Sequence, residues 1–196
     1  MSLVEGITLQ EAWPNLTEAE KPSIRAQLSR IIVALHDVTH NMSPDTLICS
    51  TNGGAVKDRF FRFDYDSGPF TSIQSYNNRL LAAATRQTPQ LEGYMEGPYR
   101  DFLPDNGNVY FTHGDITLTN IMVSEISGSI SVIAIIDWEQ AGWHPEYWEY
   151  CKLLSVVNYE HEWREAGWAN KLIEPFEVEW TAFSEYFMWR CPQGCS

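Results

Sequence analysis

Two β-rich runs near the middle of the chain constrain its fold more than any other feature. They read NIMVSEI (residues 120–126) and SISVIAIID (residues 129–137), with Gly128 between them. Two such runs on either side of a Ser-Gly turn predict an antiparallel hairpin. If the turn centres on Gly128–Ser129, Asn120 and Asp137 lie opposite each other at the open end, with Cα atoms about 5 Å apart. A regular ladder therefore predicts one site for these two side chains.

A third oxygen-bearing side chain is expected to reach the same place. The run VYFTHGDITLTN (residues 109–120) begins as a short strand and continues as a polar loop that contains Asp115. Two carboxylates and an amide oxygen would then converge, and such hard ligands suit Mg²⁺, which keeps water or substrate phosphates in its other positions. Each residue alone is more typical of turn chemistry. The set H-x-D-x₄-N, hairpin and Asp137 has the spacing of a phosphotransfer site.

Helical patterns occupy most of the remaining chain. Thr17 and Glu20 have the spacing of a capping box, and an apolar face follows at helical spacing. It consists of Ile24, Leu28, Ile31, Ile32 and Leu35. Further helices are expected over 72–86, 89–103 and 145–157, and in a tail ending near residue 190, whereas 41–71 reads as loop. We therefore expect a single domain over residues 1–196, α+β and mainly helical, with a small β-hairpin insert.

Charge and composition narrow the partners. The 196 residues carry a formal net charge of −13 and are 44% hydrophobic, so the chain should fold as a globular protein. An acidic chain is not expected to bind nucleic acid or an anionic membrane surface, although a cationic acceptor such as an amine would suit it. Neither a membrane span nor a signal peptide is recognisable, so a cytoplasmic location is expected.

The cysteines add little to this assignment. They stand at positions 49, 151, 191 and 195, and the last two form a C-x₃-C without a second pair. This pattern favours ordinary reduced thiols over a disulfide or a zinc site.

The motifs together resemble a known family. VYFTHGDITLTNIMV, followed by VIAIIDWEQAGWHPEYWEYCKLL, resembles the aminoglycoside phosphotransferase and choline kinase group, the small-molecule branch of the protein-kinase-like fold. The likeness is greatest to a fungal subset that carries a similar DWE-AGW-PEYWEY run. It covers almost the whole chain and implies a protein-kinase-like C-terminal lobe.

The resemblance also implies roles for individual residues. Asp115 would accept or orient the proton of a substrate hydroxyl that attacks the γ-phosphate of ATP, while Asn120 and Asp137 would hold Mg²⁺ against the nucleotide phosphates. His113 would support the loop by packing and hydrogen bonding, and Glu149 would secure it by hydrogen bonding. Four aromatic residues could line an acceptor pocket, but they fit a core equally well. They are Trp138, Trp143, Tyr147 and Trp148. Glu139 is a further candidate for contact with metal, substrate or solvent.

Two parts of a complete kinase are missing from the sequence. No G-x-G-x-x-G occurs, and the only lysines before Asp115 are Lys21 and Lys57, neither on a convincing strand. The resemblance places the start of the chain near the hinge between lobes, so we expect a C-terminal lobe with the N-terminal lobe absent. Three hypotheses follow. They are a small-molecule O-phosphotransferase that is weak or inactive alone, a non-catalytic binding module of pseudokinase type, and another enzymatic use of the pocket.

The resemblance leaves the acceptor unidentified, because a family does not determine a substrate. The face that would meet an N-terminal lobe should expose apolar surface. We expect self-association or a partner there.

Overall fold

A computed structural model describes residues 4–41, 47–62, 66–86, 95–126, 128–155, 163 and 167–190. Within them the chain is α+β, with helices and two small antiparallel sheets, as expected. The architecture is compatible with a kinase-like fold.

The predicted hairpin is present and belongs to the first sheet. Strand β4 (Ile121–Ile126) pairs with β5 (Ser129–Ile135), and the short β1 (Ile7–Thr8) pairs with the other edge of β4. The predicted register was wrong. The pairing closes at Ile126 with Ser129, and a bulge between Met122 and Val123 shifts it by one residue.

A second sheet was not predicted. Its central strand is β6 (Gly142–Pro145), which pairs with β2 (Cys49–Ser50) on one side and β3 (Val109–Thr112) on the other. Gly142 permits the close approach, because a Cβ at this position would lie 2.4 Å from the Cys49 carbonyl oxygen. The run GWHP has neither the length nor the alternation of a recognisable strand, so only its two partners reveal it.

The helices surround these sheets, and most of the predicted ones are present. In chain order they are α1 (Leu9–Ala12), α2 (Glu20–His36), α3 (Ile73–Thr85), α4 (Trp148–Ser155), α5 (Ala169–Leu172) and α6 (Glu177–Arg190). The capping box before α2 is confirmed, because the backbone N–H groups of Thr17 and Glu20 donate to each other's side chains at 2.8 and 3.3 Å. The helix predicted over 89–103 is wrong in its described part, which contains only the 3₁₀ turn Arg100–Phe102.

Aromatic packing joins the helices to the second sheet. The ring of Trp148, on α4, lies edge-to-face with Tyr76 of α3 and with Phe183 of α6, with ring centroids 5.4 and 5.1 Å apart. His144 of β6 stacks on the same indole, and its Nδ1 lies 3.1 Å from the Tyr76 hydroxyl. Three elements that flank the strands are thus held together in one core.

Two absences concern the described residues only. None of their helices is both long and apolar enough for a bilayer span. Cys49 and Cys151 are buried and take part in no disulfide among the described residues, whereas Cys191 and Cys195 lie outside that part of the chain.

Candidate active site

The two sheets place two loops side by side. The first loop, residues 113–120, leaves β3 and enters β4, while the second, residues 136–141, leaves β5 and enters β6. Thr112 pairs with Gly142, and Ile121 pairs with Ile135, so the loops are neighbours at both of their ends. Gly114 lies between them with φ of 76°, where a Cβ would come within 3.1 Å of the Gln140 carbonyl oxygen. The close packing of the two loops therefore requires this glycine.

A buried carboxylate secures the first loop. Glu149 accepts the backbone N–H of His113 at 2.7 Å and that of Gly114 at 3.2 Å. Its predicted hydrogen-bonding role is confirmed. His113 is fully buried, with Nε2 3.1 Å from the Ile136 carbonyl oxygen and its ring against Trp138, so it links the two loops as expected of a supporting residue. Burial lowers the pKa of His113, against opposing effects of that hydrogen bond and of Asp115 and Asp137.

Asp115 and Asn120 are brought together by the first loop. The Asn120 Nδ2 donates to the Asp115 backbone oxygen at 3.0 Å and to its Oδ2 at 3.2 Å. The Arg59 guanidinium approaches the same Oδ2 to 3.4 Å. Asp115 is 3% exposed, and its carboxylate is oriented by the Asn120 hydrogen bond and by the ion pair with Arg59.

Asp137 lies at the same end of the hairpin, but it is not opposite Asn120. The Ile136 N–H donates to the Asn120 carbonyl oxygen at 2.9 Å, so Ile136 has the position predicted for Asp137. Asp137 follows in the left-handed conformation, with φ of 65°, and its side chain is exposed. Asp tolerates this conformation better than most residues, and such outliers concentrate at functional sites.

The donor set near this end fits a hard divalent cation. The Asn120 Nδ2 makes two hydrogen bonds to Asp115, which leaves the amide oxygen for another ligand, and Asp137 is exposed. In the described part of the chain no three His, Cys, Asp or Glu side chains form a metal cluster. One carboxylate and one amide oxygen nevertheless suit Mg²⁺, which requires few protein ligands.

A buried polar network, which the sequence did not predict, lies next to the site. Lys152, on α4, lies 2.9 Å from Asp58 Oδ2, with both side chains at most 3% exposed, and its Nζ also donates to Gln140 Oε1 at 3.2 Å. The same Gln140 oxygen accepts the Arg59 backbone N–H at 3.0 Å. Lys152 offered a signal, because a lysine in the run EYCKLL on a buried helix needs an acidic partner.

The four aromatic residues considered for an acceptor pocket differ in their exposure. Trp143, Tyr147 and Trp148 are at most 7% exposed and belong to the core, whereas Trp138 is 40% exposed on the second loop. Only Trp138 could meet a ligand at the surface of the site. Glu139, beside it, is exposed and faces a cleft that Arg59 also lines.

Burial of Glu149 should make stability depend on pH. Burial raises its pKa from 4.5 to about 7, and the two backbone hydrogen bonds only partly oppose this shift. Between these values the folded chain keeps a proton that the unfolded chain releases, so this residue lowers the free energy of unfolding as pH rises. We expect the free energy of unfolding of the wild type, minus that of Glu149→Gln, to fall by roughly 1–3 kcal/mol from pH 4.5 to 8. Urea denaturation of both proteins measures it.

Comparison with the glutamine variant also removes the contribution of the buried histidines to the pH dependence. Burial lowers the pKa of His144 to about 4, which raises stability with pH over part of the same window. This contribution is common to both proteins and cancels in the difference. Parallel stability profiles would contradict the assignment to Glu149.

The comparison with known families agrees with the geometry. The α+β fold with its small antiparallel sheets is compatible with a kinase-like architecture. The phosphotransferase enzyme family (APH) matches residues 1–186, and the chain belongs to it. No curated protein matches the sequence significantly.

Proposed function

We propose that this protein is an ATP- and Mg²⁺-dependent phosphotransferase that acts on the hydroxyl of a small molecule. One observation carries the proposal. The buried Asp115 carboxylate, on the first loop, is oriented by Asn120 and Arg59. The second loop lies next to the first and carries Asp137. Family membership supports the reaction class, and the side chains supply an acceptor for a proton next to ligands for a cation.

The reaction assigns a defined task to Asp115. It accepts the hydrogen bond of the acceptor hydroxyl and takes its proton as the oxygen bonds to the γ-phosphorus. The bond from that phosphorus to the bridging oxygen breaks, and ADP leaves with the electron pair. Most of the rate enhancement in such a transfer comes from positioning and from charge stabilisation. Mg²⁺ bound by Asn120 Oδ1 and Asp137 would supply charge neutralisation at the phosphates.

Turnover by the chain alone should be slow. It contains no G-x-G-x-x-G motif, and neither Lys21 nor Lys57 lies on a strand. Interactions of that type stabilise the charge of the transition state, and each contributes about 3 kcal/mol.

We also propose that an apolar face takes part in self-association or binds a partner. Exposed hydrophobic side chains such as Ile7 and Ile126, on β1 and β4, are consistent with such a face.

Calorimetric titration with Mg·ATP tests the cation site. The wild type should bind with a dissociation constant of roughly 1 mM, which corresponds to about −4 kcal/mol. Asp137→Ala should weaken the Mg²⁺-dependent part at least about tenfold, since even residues that only support a metal ligand contribute that much.

Asp37→Ala is the matched control, because Asp37 is exposed at the end of α2 and outside both loops. Absence of heat at millimolar nucleotide would instead favour a non-catalytic module. Rapid ATP consumption by the purified chain that Asp115→Ala abolishes would refute slow turnover.

A further inference from the structure

A cleft of about 650 Å³ lies around the turn that carries Arg59. Its walls include Lys57, Arg59, Arg62, Ser67 and Glu139. Arg59 connects the cleft to the first loop, because this residue lines the cleft and its guanidinium lies 3.4 Å from Asp115 Oδ2. The volume lies within the range typical of small-molecule sites, about 300–1,000 Å³.

The charge of the cleft is opposite to that of the chain. The protein has a net charge of −13, yet three of its 13 lysines and arginines lie within six consecutive positions, 57–62, and all three line this cleft. Two acids are among the described residues that line the cleft: Asp58, which is paired with buried Lys152, and Glu139. Arg59 is also paired with Asp115, which lies outside the lining. Clefts lined by one sign of charge concentrate ligands of the opposite sign.

The three cationic side chains lie on the segment 57–62, whose backbone is held in place by buried hydrogen bonds and an ion pair. The turn Arg59–Phe61 is capped by Asp58, which accepts the Phe60 N–H at 2.8 Å and binds Lys152. Gln140, from the second loop, accepts the Arg59 N–H. The backbone that presents the guanidinium is therefore fixed to the same loop that carries Asp137. Such preorganisation lowers the entropy cost of binding a ligand.

We infer that this cleft binds an anionic group of the acceptor, a carboxylate or a phosphate, next to the hydroxyl that Asp115 activates. The assignment of this anionic group to the acceptor rests on the proposed function, whereas the binding of anions in the cleft does not. The inference differs from the cationic acceptor that net charge alone favoured. Net charge acts over the whole surface, but the residues at the site determine what binds there.

Titrations without catalysis test the site. Inorganic phosphate, malonate, spermidine and Mg·ADP are titrated separately into the full chain at low ionic strength, followed by calorimetry. The double variant Lys57→Glu/Arg62→Glu should bind phosphate and malonate at least about tenfold more weakly, since two attractions become repulsions. Arg30→Glu/Lys171→Glu is the control, because it changes the same residue types and the same charge outside the cleft.

Three results together would support the inference. They are saturable binding of both anions to the wild type, loss of affinity only in the cleft variant, and unchanged phosphate affinity when Mg·ADP is present. Weakening of the binding by salt would agree with its electrostatic origin.

Other results would overturn it. They are no saturable anion binding, equal affinity in the two double variants, or stronger binding of spermidine than of either anion. Competition between Mg·ADP and phosphate would show that the cleft holds nucleotide phosphates instead. Failure of the proposed function is recognised separately, because it appears as ATP hydrolysis that does not depend on Asp115 while the anions still bind.

Discussion

Replacing Asp115 by Asn should lower the rate of phosphate release from ATP about 10²–10⁴-fold, the usual contribution of a positioned general base. The substitution preserves the size of the side chain and removes the atom that takes the proton. Mg·ATP affinity should change little, because Asn120 and Asp137 are proposed as the cation ligands. Labelled ATP with protein in excess provides the sensitivity that a slow reaction requires.

Asp37→Asn makes the same chemical change at an exposed position outside both loops, and its rate should equal that of the wild type. Urea denaturation of each variant separates loss of catalysis from loss of fold. A rate for Asp115→Asn within threefold of the wild type would contradict the assignment of the base.

The second large effect concerns the buried ion pair. Lys152→Met should lower the free energy of unfolding by about 3–5 kcal/mol, because it leaves the Asp58 carboxylate buried without its counter-charge. Both side chains are at most 3% exposed, so water cannot compensate. The same substitution should weaken anion binding in the cleft, since Asp58 holds the turn that carries Arg59. Chemical denaturation and phosphate titration measure the two effects.

Two further variants make this prediction specific. Lys57→Met changes the same residue type where it is exposed, and its free energy of unfolding should differ by less than about 0.5 kcal/mol. The double variant Asp58→Asn/Lys152→Met removes both charges and should recover much of the lost stability. Equal stabilities of Lys152→Met and the wild type would show that the pair contributes nothing.

Local sequence was sufficient for one part of the site. Asp115 and Asn120 are five residues apart, so their contact is made within a single loop and follows from the H-x-D-x₄-N spacing. The hairpin could be predicted as well, because β-rich runs on either side of a turn are a local sequence signal. Glu149 could be assigned by resemblance, and its hydrogen bonds to the first loop confirm that it secures this loop.

A distant residue contacts the hairpin next to its irregularity. The Val132 N–H donates to Gln27 Oε1 of α2 at 2.9 Å, beside the bulge in the ladder. A side chain 105 positions away thus takes a hydrogen bond at the irregularity that moves Ile136 opposite Asn120. No pattern within the hairpin predicts this contact.

The sequence alone therefore determined the contact between Asp115 and Asn120 and the presence of the hairpin, because short-range spacing and strand patterning control both. Tertiary structure decided what surrounds them. The strand β6, the Asp58–Lys152 pair and the position of Arg59 beside Asp115 all join segments that are far apart in the chain. Their formation depends on packing and on neutralising buried charge, and these are properties of the assembled core and not of any one segment.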